Sequence, residues 1–249
     1  MSDADTAATI NDAMAEEAPR MPSPIPGKVE LMRGLHNADD NKWHTVAHVR
    51  ELNGVDEEQL AALGSRDDIG YGEYMNEVLK LSVESIGDLE VKDMPDLIDK
   101  LIIGDRDVLF LQVLKTTYGR TKEFQVTCRY CGEMNDVEID MDEDFQFSPP
   151  DIDLRQPFDV KTKNGGVVSL RLPTGETTSL TSKKASTDAE INSYLLATSV
   201  VTKDDTSIEE RLDWARALPM SDRQKLVKTL GKLADIGPKM QEVNTQCAS

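Results

Sequence analysis

The sequence predicts an α+β fold, in which a helical body carries a zinc-ribbon-like β-hairpin knuckle and a second β-hairpin. Three observations predict it. Helical periodicity dominates residues 56–118, a Cys128-Arg-Tyr-Cys131-Gly132 turn lies between two strand-like segments, and hydroxyl-led capping signals recur after residue 186. No repeat of 20–50 residues is visible, so a solenoid is not predicted.

Residues 1–27 are rich in Ala, Asp and Glu and end in Met21-Pro-Ser-Pro-Ile-Pro-Gly27. Together with the residues up to 40 they read as a disordered acidic tail, with at most a transient helix around Thr9–Glu17. A first structured unit spans residues 41–121. Lys42–Leu52 alternates at Trp43, Thr45, Ala47 and Val49, which predicts a strand. Asn53-Gly54 gives a turn, and Asp56 begins a short helix through Glu57–Leu63. Tyr71–Val83 reads as a helix with Tyr71, Tyr74, Met75, Val78 and Leu79 on one face. Pro95 fits the first turn of a helix that buries Leu97, Leu101 and Ile102, and Gly104 interrupts it. Asp105 can cap the next helix, Arg106–Tyr118, and Gly119 suits its C′ position. Val108, Leu109, Phe110, Leu111, Val113 and Leu114 make this helix apolar nearly all round, so it is the predicted centre of the core.

A second unit, residues 122–182, switches to strands. Glu123–Cys128 and Asn135–Met141 flank the cysteine turn, and the acidic stretch 142–157, with Pro149-Pro150, reads as a loop. Phe158–Thr162 and Val167–Leu172 flank Asn164-Gly165, a signal for a type I′ hairpin turn, which needs positive φ at both central residues. The last unit, residues 183–249, is helical and returns to the ribbon. Capping boxes at Thr187-x-x-Glu190, Ser207-x-x-Glu210 and Ser221-x-x-Gln224 announce its helices. Gly237-Pro238 ends the last of them, and Val243 and Thr245 predict a short strand leading to Cys247.

Acidic residues outnumber basic ones 46 to 28, and no basic block of five appears, which opposes a nucleic-acid-binding surface. The net charge of −18 instead favours solubility and the steering of a basic protein partner. No apolar run is long enough for a membrane span, and the N-terminus lacks the basic and apolar regions of a secretory signal. Three cysteines do not make a disulfide framework, and in a reducing cytoplasm cysteine pairs are usually metal-binding or catalytic.

Cys128 and Cys131 carry the strongest chemical signal. A Cys-x-x-Cys-Gly turn aims two sulfurs at one point, and its glycine lets backbone N–H groups approach a thiolate. Structural zinc needs four ligands, and Cys247 can supply a third. A cysteine directly after Ser249 would complete a second Cys-x-x-Cys, so the sequence reads as cut in mid-motif. Structural zinc is worth roughly 10–16 kcal/mol in apparent terms, comparable to the whole stability of a domain. A degenerate metal site and a redox dithiol are the alternatives. The dithiol is opposed by the absence of a helix following the pair, since a helix N-terminus is what lowers such a thiol's pKa.

His36, His44 and His48 read as surface residues, because His44 and His48 lie on a strand, where i,i+4 positions are too far apart to share a metal. Asp105, Asp107, Asp140, Asp142, Glu143 and Asp144 read as caps and solvated faces rather than a catalytic carboxylate pair. Met141–Asp144 lacks the glycine and final glutamate of a calcium loop, Pro173–Ser179 is no phosphate loop, and no nucleophile elbow occurs.

Several short motifs stand in a defined order: Val49-Arg-Glu-Leu-Asn-Gly-Val-Asp-Glu-Glu-Gln-Leu60, Ile103-Gly-Asp-Arg-Asp-Val-Leu109, Tyr118-Gly119, Phe124-Gln-Val-Thr-Cys128-Arg-Tyr-Cys131-Gly-Glu133, Arg171-Leu-Pro-Thr-Gly175 and Ala217-Leu-Pro-Met-Ser-Asp-Arg223. In order and spacing they resemble the T-even-type phage baseplate protein family, over most of residues 45–249. The family's members include baseplate hub subunits and hub assembly factors, and they often carry a second Cys-x-x-Cys near the C-terminus, where Cys247 stands. The present sequence lacks the fourth cysteine. The resemblance implies a non-enzymatic virion structural or assembly protein. Its partners would be other baseplate and tail hub proteins, with which it would form an oligomer, and its place the virion tail or the host cytoplasm during assembly. The alternative reading is a zinc-ribbon regulator that contacts nucleic acid or polymerase, which the net charge opposes.

Overall fold

A computed structural model describes residues 26–66, 69–163, 165–202 and 206–240. Residues 1–25 of the expected tail, Asn164, the expected strand at Val243–Thr245, and Cys247 lie outside them. Helices and sheets are mixed, as an α+β class requires. The N-terminal half is built on a meander. β1 (Pro26–Asn37), β2 (Lys42–Arg50), β3 (Val83–Ile86) and β4 (Leu89–Glu90) form one antiparallel sheet in that order.

β1 occupies residues that the sequence reading left in the tail. Glu30 pairs with Val46 and Leu35 with His44, so β1 advances five residues while β2 advances two. This bulge shifts the alternation of inward side chains, which is why no period of two is visible there. Gly34 completes the bulge at φ 73, and a Cβ on it would come well under 3.0 Å from the His44 carbonyl oxygen.

Two helices separate β2 from β3: α1 (Gly54–Gly64) and α2 (Tyr71–Ser82). Asn53 caps α1 by accepting the Val55 and Asp56 N–H groups, while Asp56 accepts the Asn53 N–H at 2.8 Å, so the helix starts before the expected Asp56. α2 buries Met75, Asn76, Val78 and Leu79. Tyr71, expected on that buried face, is 66% exposed and fronts a cleft. β3 follows α2 with no Gly or Pro between them, so nothing in the sequence marks the change of state.

α3 (Leu97–Lys100) is a single turn, and α4 (Ile103–Tyr118) crosses the meander's core. The helix expected from Pro95 ends at Lys100, before Gly104, and Gly104 belongs to the helix that follows. It lies inside the helix, where a Cβ would meet Met32 and Ile236 at 2.7 and 2.9 Å, and so it permits close packing. Leu109 and Val113 are fully buried and join Ala47, Val49, Leu79, Ile86, Ile98 and Leu101 in one apolar cluster, which makes α4 the central helix as predicted.

β5 (Thr121–Thr127) and β6 (Met134–Asp140) form a separate hairpin. Short β7 (Phe147–Ser148) lies in the acidic loop, and β8 (Phe158–Lys161) pairs with β9 (Val167–Leu170). The last pair is Lys161 with Val167, and the turn expected at Asn164-Gly165 contains a residue outside the described ones. Beyond that pair the Thr162 N–H donates to the Gly166 carbonyl at 2.8 Å.

α5 (Gly175–Lys184), α6 (Asp188–Ser199), α7 (Ile208–Ala217) and α8 (Met220–Ala234) complete the body, with a terminal β10 (Gly237–Pro238). Thr187 and Ser207 cap α6 and α7 by the expected boxes. Ser221 does not cap α8. Pro219 ends the preceding chain and takes the N-cap position, which places Ser221 inside the first turn. Val160, Leu170, Leu196, Ala215, Leu226 and Leu230 form a second core. A smaller cluster of Ile102, Leu154, Leu172 and Ile236, with Met32 against it, joins the two halves. β10 pairs with β7, and the Lys239 N–H donates to the Gln146 carbonyl at 2.9 Å, which brings the C-terminal chain beside the segment after β6. Among the described residues no helix is long and apolar enough to cross a membrane.

Candidate functional site

The cysteine turn closes the β5–β6 hairpin. Strand pairing runs from Thr121–Asp140 at the base to Thr127–Met134 at the tip. Beyond it the Cys128 N–H donates to the Glu133 carbonyl at 2.8 Å and the Gly132 N–H to the Cys128 carbonyl at 3.0 Å. Gly132, at φ 75, supplies the left-handed residue this return needs. Cys128 is half-buried and Cys131 exposed, both as thiols. Among the described residues no group of three or more His, Cys, Asp or Glu side chains could hold a metal, and the third expected ligand, Cys247, lies outside those residues.

The hairpin stands away from both cores. Phe124, Val126, Tyr130 and Met134 are exposed, Tyr130 completely. Its base is tied by charge. Arg120 Nε donates to both oxygens of Asp140 at 2.7 and 2.9 Å, its Nη2 donates to Glu143 at 2.6 Å, and Lys115 pairs with Asp142. Arg120 pulls the Asp140 carboxyl below the usual carboxylate range. Lys122 covers the Tyr118 ring, its Nζ 4.0 Å from the centroid. The acids of this segment therefore clamp the foot of the hairpin, which is more specific than the solvated face expected of them.

Two other acids depart further from expectation. Asp105 is no helix cap but is fully buried, and its carboxylate accepts the N–H groups of Met32 at 2.6 Å, Arg33 at 3.2 Å and Gly34 at 2.9 Å. Burial pushes its pKa up, and the three N–H bonds pull it back. Asp107 borders a cleft of about 800 Å³ shared with Tyr71, Glu143, Asp144 and Lys239. Desolvation there raises its pKa to about 6, against the pull of Arg106 and Lys239.

Arg106, expected only as the first residue of a helix, has a buried polar role that the sequence does not announce. It is 2% exposed, donates to Asn76 Oδ1, and holds Nη1 3.9 Å from Asp99 Oδ1. Asn76 Nδ2 in turn donates to Asp99 at 3.1 Å and to Ser179 Oγ at 3.0 Å. Gly175 leaves room for the guanidinium, with which any Cβ would collide. This polar knot joins α2, α4 and α5 across the two halves. A helical wheel carried the signal of burial only, because Ile102, Arg106, Leu109 and Val113 share one buried stripe. Of the histidines, His36 is exposed, as read. The His44 side chain keeps only 9% exposure beside Asp40, so the surface reading fails there, because the β3–β4 turn at Gly87 closes over its ring.

Neither the curated proteins nor the solved structures contain a match to this chain. Residues 38–249, a span that holds the meander from β2 onward, the cysteine hairpin and the whole helical body, match the model of the T4 bacteriophage base plate protein family, and the chain belongs to that family.

Proposed function

We propose that this protein is a subunit of the baseplate hub or of the machinery that assembles it, that it acts through protein contacts without catalysing a reaction, and that Cys128, Cys131 and Cys247 share a structural zinc ion. The family match over residues 38–249 carries the reading. As a baseplate protein it belongs to the virion tail, among other tail proteins. The exposed hairpin supports a contact role, since a two-stranded hairpin is marginal in water and gains stability from what binds it. An aromatic such as Tyr130, fully exposed at its tip, suits a protein contact.

Chain reach constrains the shared zinc. Met240 lies beside Glu143, Asp144 and Gln146, close to where β6 ends. The segment from residue 240 to Cys247 can extend about 25 Å. β6 spans roughly 20 Å from Asp140 to Met134, and the cysteine turn lies beyond it. A shared site would therefore need that segment to run nearly fully extended along the hairpin, and the fourth ligand would come from another group.

Metal analysis of protein purified from infected cells tests the zinc, with about one zinc per chain expected and loss of it in both Cys131→Ser and Cys247→Ser. Cosedimentation with baseplate intermediates tests the assembly role. Zinc-free natural protein would remove the metal site, and a protein found only as a free monomer throughout infection would remove the hub role.

A further inference from the structure

One patch runs against the charge of the molecule. Trp43 carries two guanidinium groups over its ring, Arg33 with Cζ 5.9 Å and Arg155 with Cζ 5.6 Å from the centroid, and the His36 ring packs beside it at 5.3 Å. Burial lowers the Arg33 pKa most, the Asp105 carboxylate raises it, and Arg171 lowers it again as a third like charge. The three arginines, Trp43 and His36 come from β1, β2, the loop before β8 and the residue after β9, so the fold gathers them from both halves.

Although acids exceed bases by 18 in this chain, none of the three arginines makes an ion pair within 4 Å among the described residues. The neighbouring acids are otherwise engaged. Asp105 attracts Arg33 through space but directs its oxygens to the β1 amides, Asp40 accepts the Lys42 N–H at 3.1 Å and lies 3.3 Å from His44 Nε2, and Asp153 accepts the Arg155 backbone N–H at 3.0 Å. Arg33 is held in place, donating to the Lys100 carbonyl at 2.7 Å and to the Gly34 carbonyl at 3.4 Å.

We propose that this cluster binds an acidic peptide segment of a neighbouring tail subunit, with carboxylates on Arg33, Arg155 and Arg171 and the segment's carbon skeleton against Trp43. The proposal rests on the protein-contact role above. Guanidinium forks match carboxylate geometry, and an indole beside them shields the pairs from water and adds apolar contact. Like charges held together repel, and an anion relieves that repulsion. The remaining surface is acidic and repels the same segment, so the patch sets where it docks as well as how tightly.

The test follows the Trp43 indole N–H resonance of the isolated full-length chain, identified by its loss in Trp43→Phe, during titration with hexaglutamate, hexaglutamine and hexathymidylate in low salt. A saturable shift with hexaglutamate alone is expected, weakened by added salt and about tenfold weaker in Arg155→Glu/Arg171→Glu. Both substituted residues are exposed, and the amide spectrum of the double variant reports its fold. No shift with hexaglutamate, an equal shift with hexaglutamine, unchanged affinity in the double variant, or tighter binding of hexathymidylate would each overturn the proposal. A shift that appears only when Asp3, Asp5, Asp12, Glu16 and Glu17 are changed to their amides would assign the patch to the chain's own N-terminal segment and would equally overturn it. The titration requires no zinc, so its outcome is independent of the metal analysis.

Discussion

The Asp105 carboxylate accepts the Gly34 N–H at 2.9 Å across 71 residues of chain. With the Met32 and Arg33 amides on the same carboxylate, the central helix supplies the hydrogen bonds that β1 forfeits where it leaves the ladder with β2. One side chain therefore fixes both the position of α4 and the irregular path of β1.

Asp105→Ala should cost at least about 3 kcal/mol in urea denaturation, because it leaves three N–H groups at the core without acceptors, each worth roughly 1–3 kcal/mol. Asp105→Asn keeps one oxygen and should cost less. Equal losses for the two variants would show that the bonds do not carry the stability.

Gly34 and Gly119 both have positive φ, 73 and 88, but differ in space, since a Cβ at Gly34 meets the His44 carbonyl and one at Gly119 meets nothing within 4 Å. Gly119→Ala should therefore cost only the conformational strain of its φ 88, ψ 173 backbone, roughly 1–3 kcal/mol. Gly34→Ala should cost more, because backbone must move as well. Calorimetric melting of the two variants checks the order.

Arg50 holds the buried Asp56 carboxylate by two bonds, at 2.6 and 2.9 Å, and the hydrogen bond from Arg50 is the main reason the Asp56 pKa is depressed. A depressed folded-state pKa contributes stability that is present above the unfolded value of 3.8 and is lost as pH falls through the folded value. Arg50→Met should thus destabilise by about 2 kcal/mol at pH 7, where an unpaired buried carboxylate is left behind. The difference from the parent chain should shrink as pH drops below 3.8.

Asp107 titrates with the opposite sign. Its pKa is raised from 3.8 to about 6, so its contribution is most favourable below 3.8 and is lost as pH rises through 6. Two units correspond to an upper limit of about 3 kcal/mol, which solvent at the cleft reduces to roughly 1 kcal/mol. Asp107→Asn should raise the melting temperature at pH 8 and leave it nearly unchanged at pH 4. An equal gain at both pH values would contradict the desolvation account.

What the sequence disclosed is local. Thr187 and Ser207 announce their helices because a cap and its answering Glu lie three residues apart. The strands around Cys128 and Cys131, and the central helix, were legible for the same reason. β1 was not, because its bulge breaks the alternation, and Asp105 was not, because its partners lie 71–73 residues away. The Trp43–Arg155 contact likewise joins residues far apart in the chain, with no common motif. Of the cysteine site, sequence and structure agree on the turn that presents Cys128 and Cys131, and Cys247 was legible only as a matching residue type. Family membership was readable through the order of several modest motifs.

The debt of β1 to a helix made much later has a consequence during synthesis. β1 forms the outer edge of the meander and leaves the ribosome before α4, so its irregular stretch has no acceptor until that helix follows, some seventy residues on. Closing so long a loop is slow relative to local pairing. A nascent chain that stalls before Asp105 therefore presents an unfinished strand edge, open to pairing with other chains. Translation through α4 is the point at which this edge becomes self-contained.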